Sequence, residues 1–352
     1  PAARMRLSDF DFSLPEALIA QRPVYPRAAA RLLQVRGDGS RVDRTFADLA
    51  ACLRDGDLLV FNNSQVFASR LIGQRERDGQ RFDGRIEVTL VAETDEPALW
   101  VCYARPGKKL EPGDGLFFSD RLSAVVEAKD GADIKLRFDA QGADLLETID
   151  ALGHMPLPPY IRRAKGGENS DREDYRTFCG RKMGSLAAPT ASLHFDEETL
   201  ESLRAARALE VAEVRLDVGL GTFAPIRSDD ISDHQMHHES CALDADNAAL
   251  IASARAEGRR VVAVGTTVLR ALESLRGQAG AMSTDIFLKP GDDFHVVDAL
   301  ITNFHLPQST LFMLVCAFSG TEAMKAAYDH AIAAEYRFFS YGDGCFLERP
   351  TG

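Results

Sequence analysis

The chain has 352 residues, enough to bury a sizeable core and to hold more than one domain. With 45% hydrophobic and 27% charged residues its composition is that of a globular protein, which excludes a disordered chain. A net charge of −12 excludes general polyanion binding, so a nucleic-acid partner would need a local basic face.

Residues 13–16 combine the capping-box spacing with Pro15 in the first turn, and predict a helix whose apolar side is Leu14, Leu18 and Ile19. Residues 31–35 read as extended. Leu58, Leu59, Val60 and Phe61 form a short apolar run stopped by Asn62, Asn63 and Ser64, the pattern of a buried strand with a polar end. From residue 66 to 152 the texture changes to short β-rich runs (85–91, 99–104, 123–127, 134–138) separated by Asp78-Gly79, Pro112-Gly113-Asp114 and Asp130-Gly131. Evenly spaced short strands with few helical periods predict a small all-β barrel inserted into the main domain. Strand–helix alternation then resumes. Asp196 opens a helix, 211–218 is a strand, and Asp244 opens a second helix. Residues 259–264 are a strand, and a helix runs from 267 to 275. The expected fold is therefore an α/β main domain (1–65 plus 153–352) with a mixed, largely parallel sheet, carrying the β-barrel of residues 66–152.

The longest apolar candidate, residues 311–318, is too short to span a bilayer, and Asp9, Asp11 and Glu16 interrupt any signal-peptide core, so no membrane association is expected. Cysteines 52, 102, 179, 241, 316 and 345 are scattered without a CxxC pair, which points to reduced thiols in the cytoplasm.

Five stretches carry candidate chemistry. Residues 297–310 bring an apolar run to an abrupt end in Thr302-Asn303-Phe304-His305, which presents an amide and an imidazole at a strand end; the competing reading is a capped turn. Val264-Gly265-Thr266-Thr267 joins a strand to a helix and sets hydroxyls beside free N–H groups, a geometry suited to a carboxylate or phosphate or to a simple Thr cap. Arg270, one turn on, can meet an anion or Glu273. Residues 187–195 hold Pro189-Thr190 and His194. Residues 218–223 have glycines at 219 and 221 beside Thr222, but no GxGxxG spacing, and so match neither a dinucleotide loop nor the usual methyltransferase loop. The fifth stretch, 153–161, is Pro-rich. His234, His237, His238 and Glu239 invite a zinc reading, yet no HExxH pattern supports it and no metal is expected. Basic residues gather at 105–109 and at 162–182.

Together with residues 7–12 and 336–343, these stretches resemble, in order and over nearly the whole chain, the tRNA ribosyltransferase-isomerases that make epoxyqueuosine from S-adenosylmethionine. The resemblance implies the same α/β domain with an inserted barrel. It also implies a reaction in which the sulfonium acidifies a C5′ hydrogen and a base removes it. Adenine and methionine leave, and the ribosyl carbons join the aminomethyl nitrogen of 7-aminomethyl-7-deazaguanine at the tRNA wobble position. S-adenosylmethionine is a substrate in this chemistry, and no metal or redox cofactor is expected. The partner would be the tRNA anticodon loop, with a monomer the favoured state. Asp298, His305 and His194 are the candidate proton-handling set. Asn303, Thr190, Thr222, Thr266, Thr267, His237, Glu239 and Arg270 are candidates to orient substrates, with Arg105 near a phosphate or carboxylate. Tyr160, Phe304 and Tyr341 are candidate base-stacking platforms.

The chain departs from the family pattern at several positions. Asp217 stands where His is usual, Ser192 where Gly is usual, Gln65 and Ala68 where a basic residue and Pro are usual, and Arg176 and Cys179 where Gln and an aromatic are usual. Ser192 and Asp217 motivate a rival reading, a relative acting on a free 7-deazapurine or nucleoside; the rival from a different class is a tRNA-binding protein without catalysis.

Overall fold

The computed structural model describes residues 5–163, 168, 170–219, 226, 230–231, 234 and 236–351. The chain forms two compact units: one of Pro1–Ser64, Arg176–Lys182 and Ala188–Gly352, the other of Gln65–Tyr175 and Met183–Ala187.

The first unit is built on a nine-stranded mixed sheet, in the order Gly280–Thr284, Glu239–Leu243, Glu210–Leu216, Leu58–Asn62, Val261–Val264, Ala299–Asn303, Gly344–Glu348, Arg31–Val35 and Arg41–Thr45. The central four strands, from Glu210–Leu216 to Ala299–Asn303, run parallel; antiparallel strands flank them on both sides. Leu58–Asn62, Val261–Val264 and Ala299–Asn303 are buried at every position. Strands covered on both faces are the reason these segments read as unbroken apolar runs rather than alternating ones. One layer of that covering is made by Phe46, Leu49, Phe195, Leu200 and Leu203, packed on Leu59, Phe61, Val262, Val264 and Ile301.

The helix Glu197–Ala206 starts where Asp196 accepts from the Thr199 N–H at 2.7 Å, and Ala245–Ala256 starts where Asp244 accepts from Asn247 at 2.8 Å, as the capping residues predict. The helix expected after Ser13 is only a 3₁₀ turn, Glu16–Leu18. The local capping signal loses to long-range pairing: Ala20 N–H donates to Phe338 O, and Phe338 N–H donates to Leu18 O.

The second unit contains a closed barrel ordered Asp133–Phe138, Leu99–Arg105, Gln80–Glu93, Arg70–Arg77, Gly115–Ser119 and Leu122–Asp130. Val88, Leu90, Cys102, Leu116, Val126 and Leu136 point inward and are fully or nearly fully buried, while the residues between them face out. Closure leaves no unpaired edge, which suits a domain of short strands. Among the described residues no helix is long and apolar enough to cross a membrane. All six cysteines are free and buried.

Candidate active site

In an open α/β sheet, ligands bind beyond the carboxyl ends of the parallel strands. Five polar features meet at that end here. Asn62 closes its strand and ties neighbouring ones together: its Nδ2 donates to Leu216 O at 2.9 Å, while its Oδ1 accepts from the N–H groups of Leu216 and Ser64. The same Nδ2 lies 3.4 Å from the Thr267 hydroxyl. The sequence marks Asn62 only as a strand stop, because single-sequence periodicity reveals burial but not what a side-chain amide bonds to.

Gly265 is the turn between the strand Val261–Val264 and the helix Thr266–Leu275, with φ +105°, a backbone that only glycine adopts without strain. A Cβ built there would lie 3.5 Å from the Ala191 Cβ, so this turn abuts the 3₁₀ turn Thr190–His194. Thr190, Thr266, Thr267 and His194 are thereby gathered from two distant stretches of sequence.

His194 is stacked on Phe46, with ring centroids 4.0 Å apart. Its Nε2 lies 3.1 Å from Asn303 Nδ2. The carbonyls of Phe339 at 3.0 Å and Ser340 at 3.5 Å face the same amide nitrogen and fix the orientation of the Asn303 side chain. Nδ2 therefore donates to His194, whose Nε2 must be the unprotonated nitrogen of a neutral ring. Burial, then the Arg27 and Arg337 guanidinium groups, pushes the His194 pKa down to about 3. Among the described residues Asn303 Oδ1 is left buried with no hydrogen-bond partner.

His305 lies in the same strand-end segment. Tyr328 OH accepts from the His305 N–H at 2.9 Å and lies 3.4 Å from its Nδ1, while Nε2 lies 3.3 Å from Thr302 Oγ1. Both ring nitrogens thus face hydroxyls of the protein's own core, and burial pushes this pKa down to about 3 as well.

Glu239 and Arg270, both almost fully buried, form an ion pair with each other. Glu239 also accepts from the Gly219 N–H at 3.0 Å, and among the described residues Arg270 Nη2 has no hydrogen-bond partner. Glu273, the alternative partner of Arg270, instead accepts three backbone N–H bonds, from His295, Val296 and Val297.

Other candidates lie elsewhere. Asp298 sits at the opposite end of the strand from Asn303, where its carboxylate accepts from the Val261 N–H at 2.9 Å. Five residues of extended chain, about 3.3 Å each, separate it from His194 and Asn303, and the structure does not bring it to them. His237 is exposed. Arg105 belongs to the barrel unit. Thr222 lies outside the described residues. Phe304 is fully buried against Tyr328, Tyr336 and Phe338, a core residue rather than a platform. Among the described residues no group of three or more His, Cys, Asp or Glu side chains is arranged to hold a metal ion.

One departure from the family pattern, Asp217, has local compensation. Asp217 accepts from Ser64 Oγ at 2.6 Å and pairs with Arg215 at 2.9 Å, so its charge is balanced within its own strand end. Ser192 and Cys179 are both buried; among the described residues Ser192 Oγ has no hydrogen-bond partner, and Cys179 Sγ donates to Asn62 O at 3.3 Å.

Residues 7–347 match the family model described as queuosine biosynthesis protein. A protein of Maricaulis maris named S-adenosylmethionine:tRNA ribosyltransferase-isomerase is 50% identical over 354 residues, covering 99% of this chain and all of that protein. One of the same name from Hyphomonas neptunium is 48% identical, covering 97% and 99%. The crystal structure of S-adenosylmethionine tRNA ribosyltransferase from Thermotoga maritima aligns with a TM-score of 0.54 at 32% identity, covering 96% of this chain and 99% of that one.

Proposed function

The chain belongs to the queuosine biosynthesis protein family, and from that premise we propose that it transfers and isomerises the ribosyl group of S-adenosylmethionine onto 7-aminomethyl-7-deazaguanine at the tRNA wobble position. Epoxyqueuosine forms, and adenine and methionine are released. The observation that carries this reading is end-to-end identity of about half with enzymes named for that reaction. Every step is heterolytic: the C5′ proton, an amine proton, adenine and methionine are lost, an N–C bond forms, and the sugar closes to an epoxide-bearing cyclopentane. The chemistry therefore calls for no metal or redox cofactor. S-adenosylmethionine is consumed as a substrate in the cytoplasm, by a monomer.

The hydrogen bonds at the sheet's carboxyl end support distinct roles. Asn303 Oδ1, a buried acceptor without a donor among the described residues, receives an N–H of bound substrate; leaving such an acceptor unpaired costs about 1–3 kcal/mol. His194, neutral at pH 7, holds the Asn303 amide and is the ring nearest to substrate, whereas His305 supports the strand end from the core. The Thr190, Thr266 and Thr267 hydroxyls and the free N–H groups of the Thr266 helix face the methionine carboxylate. The Arg270–Glu239 pair shapes the neighbouring wall, and Thr222 and His237 orient substrate. Asp298 serves the sheet rather than the proton transfers.

Mass spectrometry of purified protein with S-adenosylmethionine and tRNA bearing the aminomethyl base tests the reading. Adenine and methionine release with a matching mass gain on tRNA is expected. Unchanged tRNA alongside a reacting free base would transfer the activity to small molecules, and no reaction of either would sink the enzymatic reading.

A further inference from the structure

The barrel carries a cationic cavity that the reaction chemistry does not use. In the strand Leu99–Arg105, Trp100 and Cys102 point into the barrel, so Tyr103 and Arg105 point out. Tyr103 is 45% exposed, unusual for a large aromatic on a strand. Its cross-strand neighbours, Thr89 and Asp133, are too small to cover the ring. Beside it lies a cavity of about 460 Å³ lined by Tyr103, Arg105, Lys108, Lys129, Thr89 and Ile134, among others. Glu87, cross-strand from Arg105, is the acidic residue of that lining, which remains net positive.

Several cations elsewhere on the barrel are neutralised by carboxylates, although Arg85, Arg121 and Lys135 have no ion pair among the described residues. Arg77 pairs with Glu111 and Asp114, Arg137 with Glu96 and Glu127, and Arg81 with Glu76. Arg105 and Lys108, both exposed, have no carboxylate partner among the described residues. Lys129 Nζ donates to the carbonyls of Gly107 at 2.9 Å and Leu110 at 3.1 Å, neutral groups that fix the 107–110 loop and leave the ammonium charge uncompensated. Gly107 allows the loop to fold this closely, because a Cβ there would come within 2.7 Å of Ala104 O.

An exposed ring beside unneutralised cations is the combination that holds single-stranded nucleic acid, with a base stacked on the aromatic face and phosphates on the cations. We propose that this outer face of the barrel docks a single-stranded segment of the RNA substrate, with Tyr103 as base platform and Arg105, Lys108 and Lys129 on the backbone. The proposal rests on the tRNA-modifying function given above. It also accounts for how a chain of net charge −12 holds a polyanion.

The test uses the full-length protein, fluorescence anisotropy with substrate tRNA across a salt series, and steady-state turnover. Tyr103→Ala should weaken tRNA binding about tenfold, the order of one base–aromatic stack. Arg105→Gln with Lys108→Gln should lower the slope of log K against log salt by about 1.4, two single-strand phosphate contacts. Neither change should alter the KM for S-adenosylmethionine. Lys135→Gln, on the same barrel outside this cavity, should leave the slope as it is. Variants that keep wild-type affinity and slope while the wild type modifies tRNA would overturn the docking surface and spare the function. Binding lost in the variants of a protein that binds tRNA but never modifies it would support the surface and sink the function. A Lys135→Gln effect equal to that of the double variant, or a wild type that binds no tRNA, would also overturn the surface.

Discussion

Arg270 and Glu239 show how much a single buried contact decides. Each is almost fully buried, on a helix and on a neighbouring strand, and each neutralises the other. Removing one partner strands a charge in the interior, which typically costs about 3–5 kcal/mol, whereas replacing both with neutral groups of similar shape costs far less. Arg270→Met is therefore expected to lower stability by several kcal/mol, and adding Glu239→Gln should recover part of that loss. Urea unfolding of both single variants and the double checks this. Strictly additive losses would mean that the pair is not an energetic unit.

At the scale of elements, the turn at Gly265 joins strand, helix N-terminus and the Thr190–His194 turn. Gly265→Ala would force a Cβ into a φ of +105°, a strain of order 1–3 kcal/mol. For a unit of this size each kcal/mol lowers Tm by about 2–4 °C, so differential scanning calorimetry should record a fall of several degrees. An unchanged Tm would mean that the turn relaxes freely and does not fix the two Thr-bearing segments. Elements of this kind were largely legible in the sequence. The apolar runs at 58–61 and 259–264 become buried parallel strands, and Asp196 and Asp244 cap helices because capping is local chemistry. Two barrel strands, Arg70–Arg77 and Gly115–Ser119, carried no clean alternation, since charged residues crowd the first and glycine and turn residues flank the second. The helix after Ser13 failed because pairing with Phe338, over three hundred residues away, has no trace in a local window. The site was legible in part for the same reason. Asn303 and His194 each stand out by residue type at an abrupt break in apolar sequence. Asp298 looked equally suggestive, but strand direction put it at the other end of the sheet.

At the scale of the whole molecule, the two buried imidazoles set its response to acid. His194 and His305 have folded-state pKa values pushed down to about 3, chiefly by burial, against about 6.5 in an unfolded chain. Between pH 6.5 and 3 the unfolded state therefore binds up to two more protons than the folded one, and stability rises with pH across that window. Above pH 6.5 both states hold neutral rings and the term vanishes. By pH 5 each ring costs about 2 kcal/mol, so the pair removes about 4 kcal/mol, a large share of the stability of an ordinary domain. Glu273 works in the opposite sense: burial raises its pKa, so it takes up a proton in the folded state first and softens the loss near the bottom of the range. Replacing both histidines with Gln keeps a neutral polar side chain at each position and removes the titration. Urea unfolding at pH 7, 6 and 5 should then show a pH slope shallower than wild type by close to two protons, with each single variant accounting for about one. A double variant as acid-sensitive as the wild type would assign the acid response to surface carboxylates and leave these rings as bystanders.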